Sequence, residues 1–326
     1  MSAVLEVAEL STAILTATGA RPVVRGVSFA VAAGETLAIV GESGSGKTLT
    51  ALSVMGLLPD GARVTGGSVR LGDRDLLGLG ARERRAVRGA ELAMIYQDPT
   101  TALNPLMRVG AQVRETLRAH GRSAEAARGR TLEALDEVGL PNPERIARAF
   151  PHQLSGGMRQ RVVIAIAVST RPRLLIADEP TTALDVTVQQ QILALVDRLR
   201  ADHGMGVIWI THDLGVVARI AQRTLVMYAG RAVEVGRTAD LYRAPQHPYT
   251  AGLLGSVPPA RGTQRPPLAQ IGGQPPDPGA LPPGCPFRPR CPQARDRCAA
   301  TEPPLLARPP QQAACWVPVP EWSRAC

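Results

Sequence analysis

The chain has 326 residues and a formal charge of +9, with 44% hydrophobic, 3% aromatic and 20% charged residues. This is enough apolar material for one large domain or two smaller ones. No run approaches the roughly 20 apolar residues of a membrane-spanning helix. The start, MSAVLEVAELSTAIL, carries Glu6 and Glu9 where a secretory signal needs a basic segment, so a cytoplasmic location is expected. The basic balance leaves two readings open: an anionic partner, or a coding bias towards arginine.

Taken in chain order, ETLAIVG (35–41) reads as a buried strand. GESGSGKT (41–48) follows, then a helical pattern from Thr48 to Leu58. The loop matches G-x-x-x-x-G-K-[ST] between a strand and a helix, the context that marks a phosphate-binding loop. Gly41, Gly44 and Gly46 let successive N–H groups face phosphate oxygens, and the following helix adds its positive end. Of 37 cationic residues, Lys47 is the one lysine. A compact ammonium enters such a cradle where a planar guanidinium would strike the backbone. Thr48 is placed to offer its hydroxyl to Mg²⁺, and Ser43, Ser45 and Leu49 complete the candidate contacts.

Residues 98–170 are charged, helical in pattern and without a convincing strand, so they read as a helical subdomain inserted into an α/β core. Within them LSGGMRQR (154–161) places Ser155 as the cap of a helix from Gly156 to Val168. Gly156 and Gly157 cost helix stability, and a bound anion at that helix start would account for them. RLLIADE (173–179) is a second buried strand. At its C-terminal end Asp178 suits Mg²⁺ and Glu179 suits a general base acting on water. Val188, Ile192, Leu195, Val196 and Leu199 recur at helical spacing with Gly204 as a stop, and GVIWITHD (206–213) is a third strand. Strand, helix, strand in this order predicts an α/β fold with a mostly parallel sheet. Nine prolines precede residue 241 and twenty follow it, which marks a boundary near Pro245 to Pro259 where regular α/β patterning is expected to stop.

These motifs together resemble the ATPase subunits of ATP-binding-cassette (ABC) transporters. GESGSGKT and LLIADE look like Walker A and B, and LSGGMRQR like the signature motif. Gln97 in MIYQDP resembles the Q-loop glutamine, Asp185 in TTALD the D-loop, and His212 in ITHD the switch histidine. The resemblance implies a P-loop NTPase fold: a RecA-like parallel core with an antiparallel β edge, an inserted helical subdomain and a Pro/Cys-rich extension. The expected division is 1–250 for the ATP-binding domain (core 1–97 and 171–250, helical subdomain 98–170) and 251–326 for the extension. It further implies Glu179, His212 and Gln97 as catalytic residues, and Mg²⁺ held through Thr48, Gln97 and Asp178. A second ATPase subunit would present Ser155, Gly156, Gly157 and Asp185 to ATP in trans. The region that usually stacks on adenine, LSTAILTATG, has no aromatic residue and offers Ile14 or a neighbour instead.

QDPTTALNPLMRVG (97–110), DEPTTALDVTVQQQIL (178–193), HPYTAGLL (247–254) and GCPFRPRC (284–291) resemble dipeptide and oligopeptide importer subunits more closely. That likeness implies a peripheral protein on the cytoplasmic face of the inner membrane. It would pair with a second ATPase and two membrane-spanning permeases, fed indirectly by an extracytoplasmic solute-binding protein, with no nucleic-acid partner. Nickel-chelate or glutathione import is the alternative cargo. A soluble ABC ATPase acting on nucleic acid is the alternative class, usually marked by tandem cassettes or long coiled-coil insertions.

All five cysteines lie at or beyond residue 285. In a cytosolic protein the spacing of Cys285, Cys291, Cys298 and Cys315 argues for a metal rather than disulfides. The C-x₂₋₄-C pairs that zinc prefers are missing, so an iron–sulfur centre, zinc and unliganded thiols all stay open. The resemblance adds that such tails can carry a [4Fe-4S] cluster. Arg288, Arg290, Arg295 and Arg297 would offset the charge of a four-thiolate centre, and Cys326 is expected to be free.

Overall fold

The computed structural model describes residues 3–17, 19–98, 102–182, 184–257 and 270–317. It divides into two compact units. The first comprises Met1–Leu5, Val31–Glu35 and Leu71–Trp209, the second Glu6–Ala30, Thr36–Arg70 and Ile210–Cys326. In chain order the elements are β1 (Ala3–Thr16), β2 (Gly19–Ala32), β3 (Thr36–Val40), α1 (Lys47–Met55), β4 (Ala62–Leu71), β5 (Arg74–Asp75), α2 (Ala81–Val87) and β6 (Leu92–Ile95). Then come α3 (Val109–Ala119), α4 (Ala124–Glu137), α5 (Pro143–Arg148), α6 (Gly156–Val168), β7 (Leu174–Asp178), α7 (Val186–His203) and β8 (Gly206–Thr211). The chain ends with α8 (Leu214–Ile220), β9 (Arg223–Tyr228), β10 (Arg231–Arg237), α9 (Thr238–Arg243), α10 (Pro248–Gly255), α11 (Asp296–Ala300), β11 (Leu306–Arg308) and β12 (Gln311–Ala313).

In the first unit β6 pairs in parallel with β7, from Leu92 opposite Leu174 to Ile95 opposite Ala177. Every residue of β7 is buried, which is why LLIAD reads as an unbroken apolar run rather than an alternation. Between residues 102 and 168 the described residues form helices and no strand. Arg130 ties α4 to the end of α6: its guanidinium grips Glu137 through two bonds of 2.7 and 2.9 Å and donates to the Ser169 carbonyl at 2.7 Å. Gly110 is small because a Cβ there would lie 2.8 Å from the Ala147 Cβ, where α3 and α5 touch.

In the second unit β3 pairs in parallel with β9, and β9 in antiparallel with β10. The regular pattern does not stop in the extension. Past the proline-rich stretch β12 returns to pair with β10, Ala313 opposite Glu234, and β11 forms a hairpin with it. Tail residue Glu302 is held by Arg25 at 2.7 Å and Arg231 at 3.1 Å. The few aromatic residues are concentrated here: Tyr228, Tyr249 and Phe287 have ring centroids 4.7 to 5.4 Å apart.

Beneath this cluster the Glu234 carboxylate is fully buried. It accepts from the Gln246 and His247 amides at 2.6 and 3.0 Å and from Gln311 Nε2 at 2.9 Å. Burial outweighs these donors and raises its pKa from an ordinary 4.5 to about 7. His247 is pushed by burial down to about 3 and stays neutral, so its Nδ1 accepts from the Tyr249 amide at 3.0 Å and caps α10. A pH effect on stability follows from Glu234. The unfolded carboxyl loses its proton near pH 4.5 and the folded one near 7. Between those values the native state holds more protons, and its stability falls as pH rises, by up to about 3 kcal/mol. Thermal melts from pH 4.5 to 8 should show this fall in the natural protein and a flatter profile in Glu234→Gln. Equal pH slopes in the two proteins would contradict the assignment.

Candidate nucleotide site

The phosphate loop leaves β3 at Gly41, whose φ of 151° and whose 2.3 Å approach to the Met227 carbonyl (measured for an added Cβ) admit only glycine. Gly46, at φ 100°, opens the nine-residue α1 directly after the loop. The helix start therefore aims its first N–H groups and the positive end of its dipole into the loop. Lys47 is 6% exposed, and its Nζ donates to the Gly41 and Glu42 carbonyls at 2.7 and 2.9 Å. The ammonium thus sits within the loop's own ring of backbone. Ser45 Oγ is buried with no hydrogen-bond partner among the described residues, the orphan polar atom that a phosphate oxygen would satisfy. Ser43, Gly44 and Thr48 are exposed and Leu49 is half-buried.

In the first unit Asp178 ends β7 buried, and Glu179 follows in the left-handed region at φ 46°. A non-glycine residue held there is strained, and such strain concentrates at functional sites. Gln97 Nε2 donates to Glu179 Oε2 at 3.0 Å, and Thr182 Oγ1 donates to the same oxygen at 3.1 Å. Two expected site residues, 82 positions apart, are therefore in direct contact. Thr182 is an addition: sequence reasoning passed over it, although it lies within the TTALD segment. His212, in the second unit, is exposed in the turn between β8 and α8.

Ser155 Oγ caps α6 by accepting from the Met158 amide at 3.3 Å, and Asp185 caps α7 by accepting from the Thr187 and Val188 amides, both at 3.0 Å. The two helix starts meet where a Cβ on Gly157 would lie 2.8 Å from Val188 Cγ1. Packing inside the chain thus explains Gly157, which modifies the expectation that both glycines serve an anion. A Cβ on Gly156 would meet nothing within 4 Å, so that position is open to whatever approaches from outside. Ile14 is half-buried in β1, and its neighbour Leu15 is 44% exposed.

The four expected cysteines lie near enough to one another for their charges to interact, but they are not arranged as a metal site. Among the described residues no three His, Cys, Asp or Glu side chains are grouped so as to hold a metal ion. Cys285, Cys291, Cys298 and Cys315 are free thiols, the last two buried. Burial pushes the Cys285 and Cys291 thiols up to about 11, so at neutral pH they pack as small apolar groups against the Tyr228–Tyr249–Phe287 core. Two of the four arginines are engaged elsewhere: Arg290 is paired with Glu42, and Arg297 lies 3.7 Å over the Trp316 ring. Cys326 lies outside the described residues.

Comparison with known proteins agrees with this geometry. Residues 24–182 match the ABC transporter family model, and residues 233–298 match the oligopeptide/dipeptide transporter C-terminal region. The dipeptide transport ATP-binding protein DppD of Bacillus subtilis is 49% identical over 322 residues, covering 97% of this chain and 95% of its own. The chain belongs to the ABC transporter ATP-binding proteins of the oligopeptide/dipeptide group. Within that family the oligopeptide transport ATP-binding protein OppD of Salmonella typhimurium is 47% identical, covering 97% and 94% of the two chains. The OppD of Mycobacterium tuberculosis is 52% identical over 94% of this chain, which spans about half of that relative's length. Among solved structures, the dimeric ATP-binding cassette MJ0796 bound to ADP and Pi overlays with a TM-score of 0.64 at 27% identity, covering 72% of this chain and 98% of that one. The fold is therefore that of an ABC ATPase cassette: α/β with mixed sheets.

Proposed function

We propose that this ABC ATP-binding protein hydrolyses ATP with Mg²⁺ to drive import of dipeptides and oligopeptides. The contact that carries the reading is Gln97 and Thr182 converging on one oxygen of Glu179 beside the buried Asp178. A carboxylate oriented by two donors is the arrangement of a general base addressing water. Lys47, Ser45, Thr48 and the Gly41, Gly44 and Gly46 backbone take the phosphates, with Ser43 and Leu49 beside them. Thr48, Gln97 and Asp178 would hold Mg²⁺, which would supply charge neutralisation of the phosphates. His212 would contact the terminal phosphate. Ser155, Gly156, Gly157 and Asp185 of a second ATPase subunit complete the site, which agrees with the open face at Gly156.

The cargo reading is supported by the names of the relatives and by the match of residues 233–298 to the oligopeptide/dipeptide C-terminal region. Among the described residues no helix is long and apolar enough to cross a membrane. Attachment through two membrane-spanning permeases on the cytoplasmic face follows from the family reading. The division at residue 250, with a helical subdomain at 98–170, belongs to the same proposal. So does an iron–sulfur or zinc occupant of the four thiols. As placed, those thiols form no metal-ion site, and no part of the ATP reaction is assigned to them.

Affinity purification from membranes tests all of this at once. Two hydrophobic permeases and a second ATPase should co-purify, and turnover in the assembled complex should rise with peptide-loaded binding protein. Nucleic acid in place of permeases would overturn the importer reading, and an anaerobic preparation without iron, sulfide or zinc would overturn the metal proposal.

A further inference from the structure

Glu42, the residue after the first loop glycine, is held at three points. Its amide donates to Tyr249 Oη at 2.8 Å, its carbonyl accepts from Lys47 Nζ at 2.9 Å, and both carboxylate oxygens accept from Arg290 at 2.6 and 2.9 Å. Two of these holders come from the C-terminal region, Tyr249 at the start of α10 and Arg290 from the turn between Cys285 and Cys291. The Arg290 side chain is 4% exposed and its donors are in use. Nε bonds the Gly272 carbonyl at 2.9 Å, Nη2 reaches the Ile271 carbonyl at 3.4 Å, and Nη1 reaches Tyr228 Oη at 3.4 Å. The guanidinium also lies 5.8 Å and 6.0 Å from the centroids of the Tyr228 and Phe287 rings. This is a pre-organised, desolvated fork on a carboxylate, the strong form of ion pair.

A carboxylate in a loop that receives a polyanion is a liability, since like charges repel strongly where solvent screening is weak. Arg290 removes that repulsion and fixes the residue whose carbonyl seats Lys47. We propose that Arg290 is a positioning residue of the phosphate loop. It acts through Glu42 to neutralise and brace the loop, so that the cysteine-rich extension is part of the ATP site's support. This rests on the ATPase reading.

The assembled importer is the material for the test, with ATP titrated at steady state and melting temperatures recorded for every variant. Arg290→Gln should raise KM for ATP about tenfold and leave kcat within about twofold, the pattern of lost uniform binding. Arg290→Lys should recover only part of this, because a point charge cannot reproduce the fork. The double variant Arg290→Gln with Glu42→Gln should return to within about threefold of the natural KM, since the uncompensated carboxylate is gone. An unchanged KM in folded Arg290→Gln, or a double variant as weak as the single one, overturns the proposal. Should Arg290→Gln fail to fold, Glu42→Gln alone decides: its KM should rise about threefold, and an unchanged KM overturns it. A natural complex that does not hydrolyse ATP would instead overturn the ATPase reading.

Discussion

Glu179→Gln is expected to lower ATP turnover by about 10²–10⁴-fold, the usual contribution of a positioned general base, while ATP binding is kept. Glutamine has the same length and retains a carbonyl oxygen that can accept from Gln97 Nε2 and Thr182 Oγ1, which now donate at 3.0 and 3.1 Å. The strained backbone at φ 46° is independent of the side chain's charge. What disappears is the basic oxygen itself. Single-turnover hydrolysis with radiolabelled ATP, beside equilibrium binding of a fluorescent ATP analogue, separates the two effects. Turnover within tenfold of the natural protein would remove Glu179 from the role of base. Thr182→Val should give a smaller loss in the same assay, because it removes one of the two donors that orient the carboxylate.

Lys47→Arg is expected to weaken ATP binding at least about 100-fold, or about 2.7 kcal/mol, although it conserves charge. The ammonium has bonds of 2.7 and 2.9 Å to the Gly41 and Glu42 carbonyls and is 6% exposed. The loop walls around it are close, as Gly41 shows: an added Cβ there would already meet the Met227 carbonyl at 2.3 Å. Arginine adds two heavy atoms and a planar guanidinium where a single tetrahedral nitrogen now sits, and a packed interior does not yield that volume without strain. Direct binding of ATP to the purified subunit measures the effect, and the melting temperature without nucleotide checks that the fold survives. Unchanged affinity would mean that the cradle is wider than its backbone suggests.

The local signals were strong where chemistry and chain order coincide. β3, β7 and β8 lie within the apolar runs 35–41, 173–179 and 206–213. Helix α6 begins at Gly156 with Ser155 as its cap, and α7 stops at Gly204 in the left-handed conformation. Helix α1 ends at Met55 rather than Leu58, because Gly56 turns left-handed before the apolar pattern runs out. The extension was the least legible part. Its proline content suggested irregular chain, yet β11 and β12 add to the edge strand β10. The pairing comes from the partner's free edge, which no local pattern in the extension reveals. Its arginines looked like counter-charges for the cysteines, while Arg290 pairs with a carboxylate 248 residues away.

By itself the sequence determined the chemistry at each point: the single lysine of the phosphate loop, the acidic pair at the end of β7, and the Ser155 cap with glycines at 156 and 157. Such features are local, set by which dihedrals glycine permits and which atoms a side chain carries. Only the tertiary structure decided which of these groups touch. It placed Gln97 and Thr182 on Glu179, and Tyr249 and Arg290 on Glu42. Contacts between residues far apart in the chain depend on how strands and helices pack, and burial then gives each hydrogen bond and charge its strength.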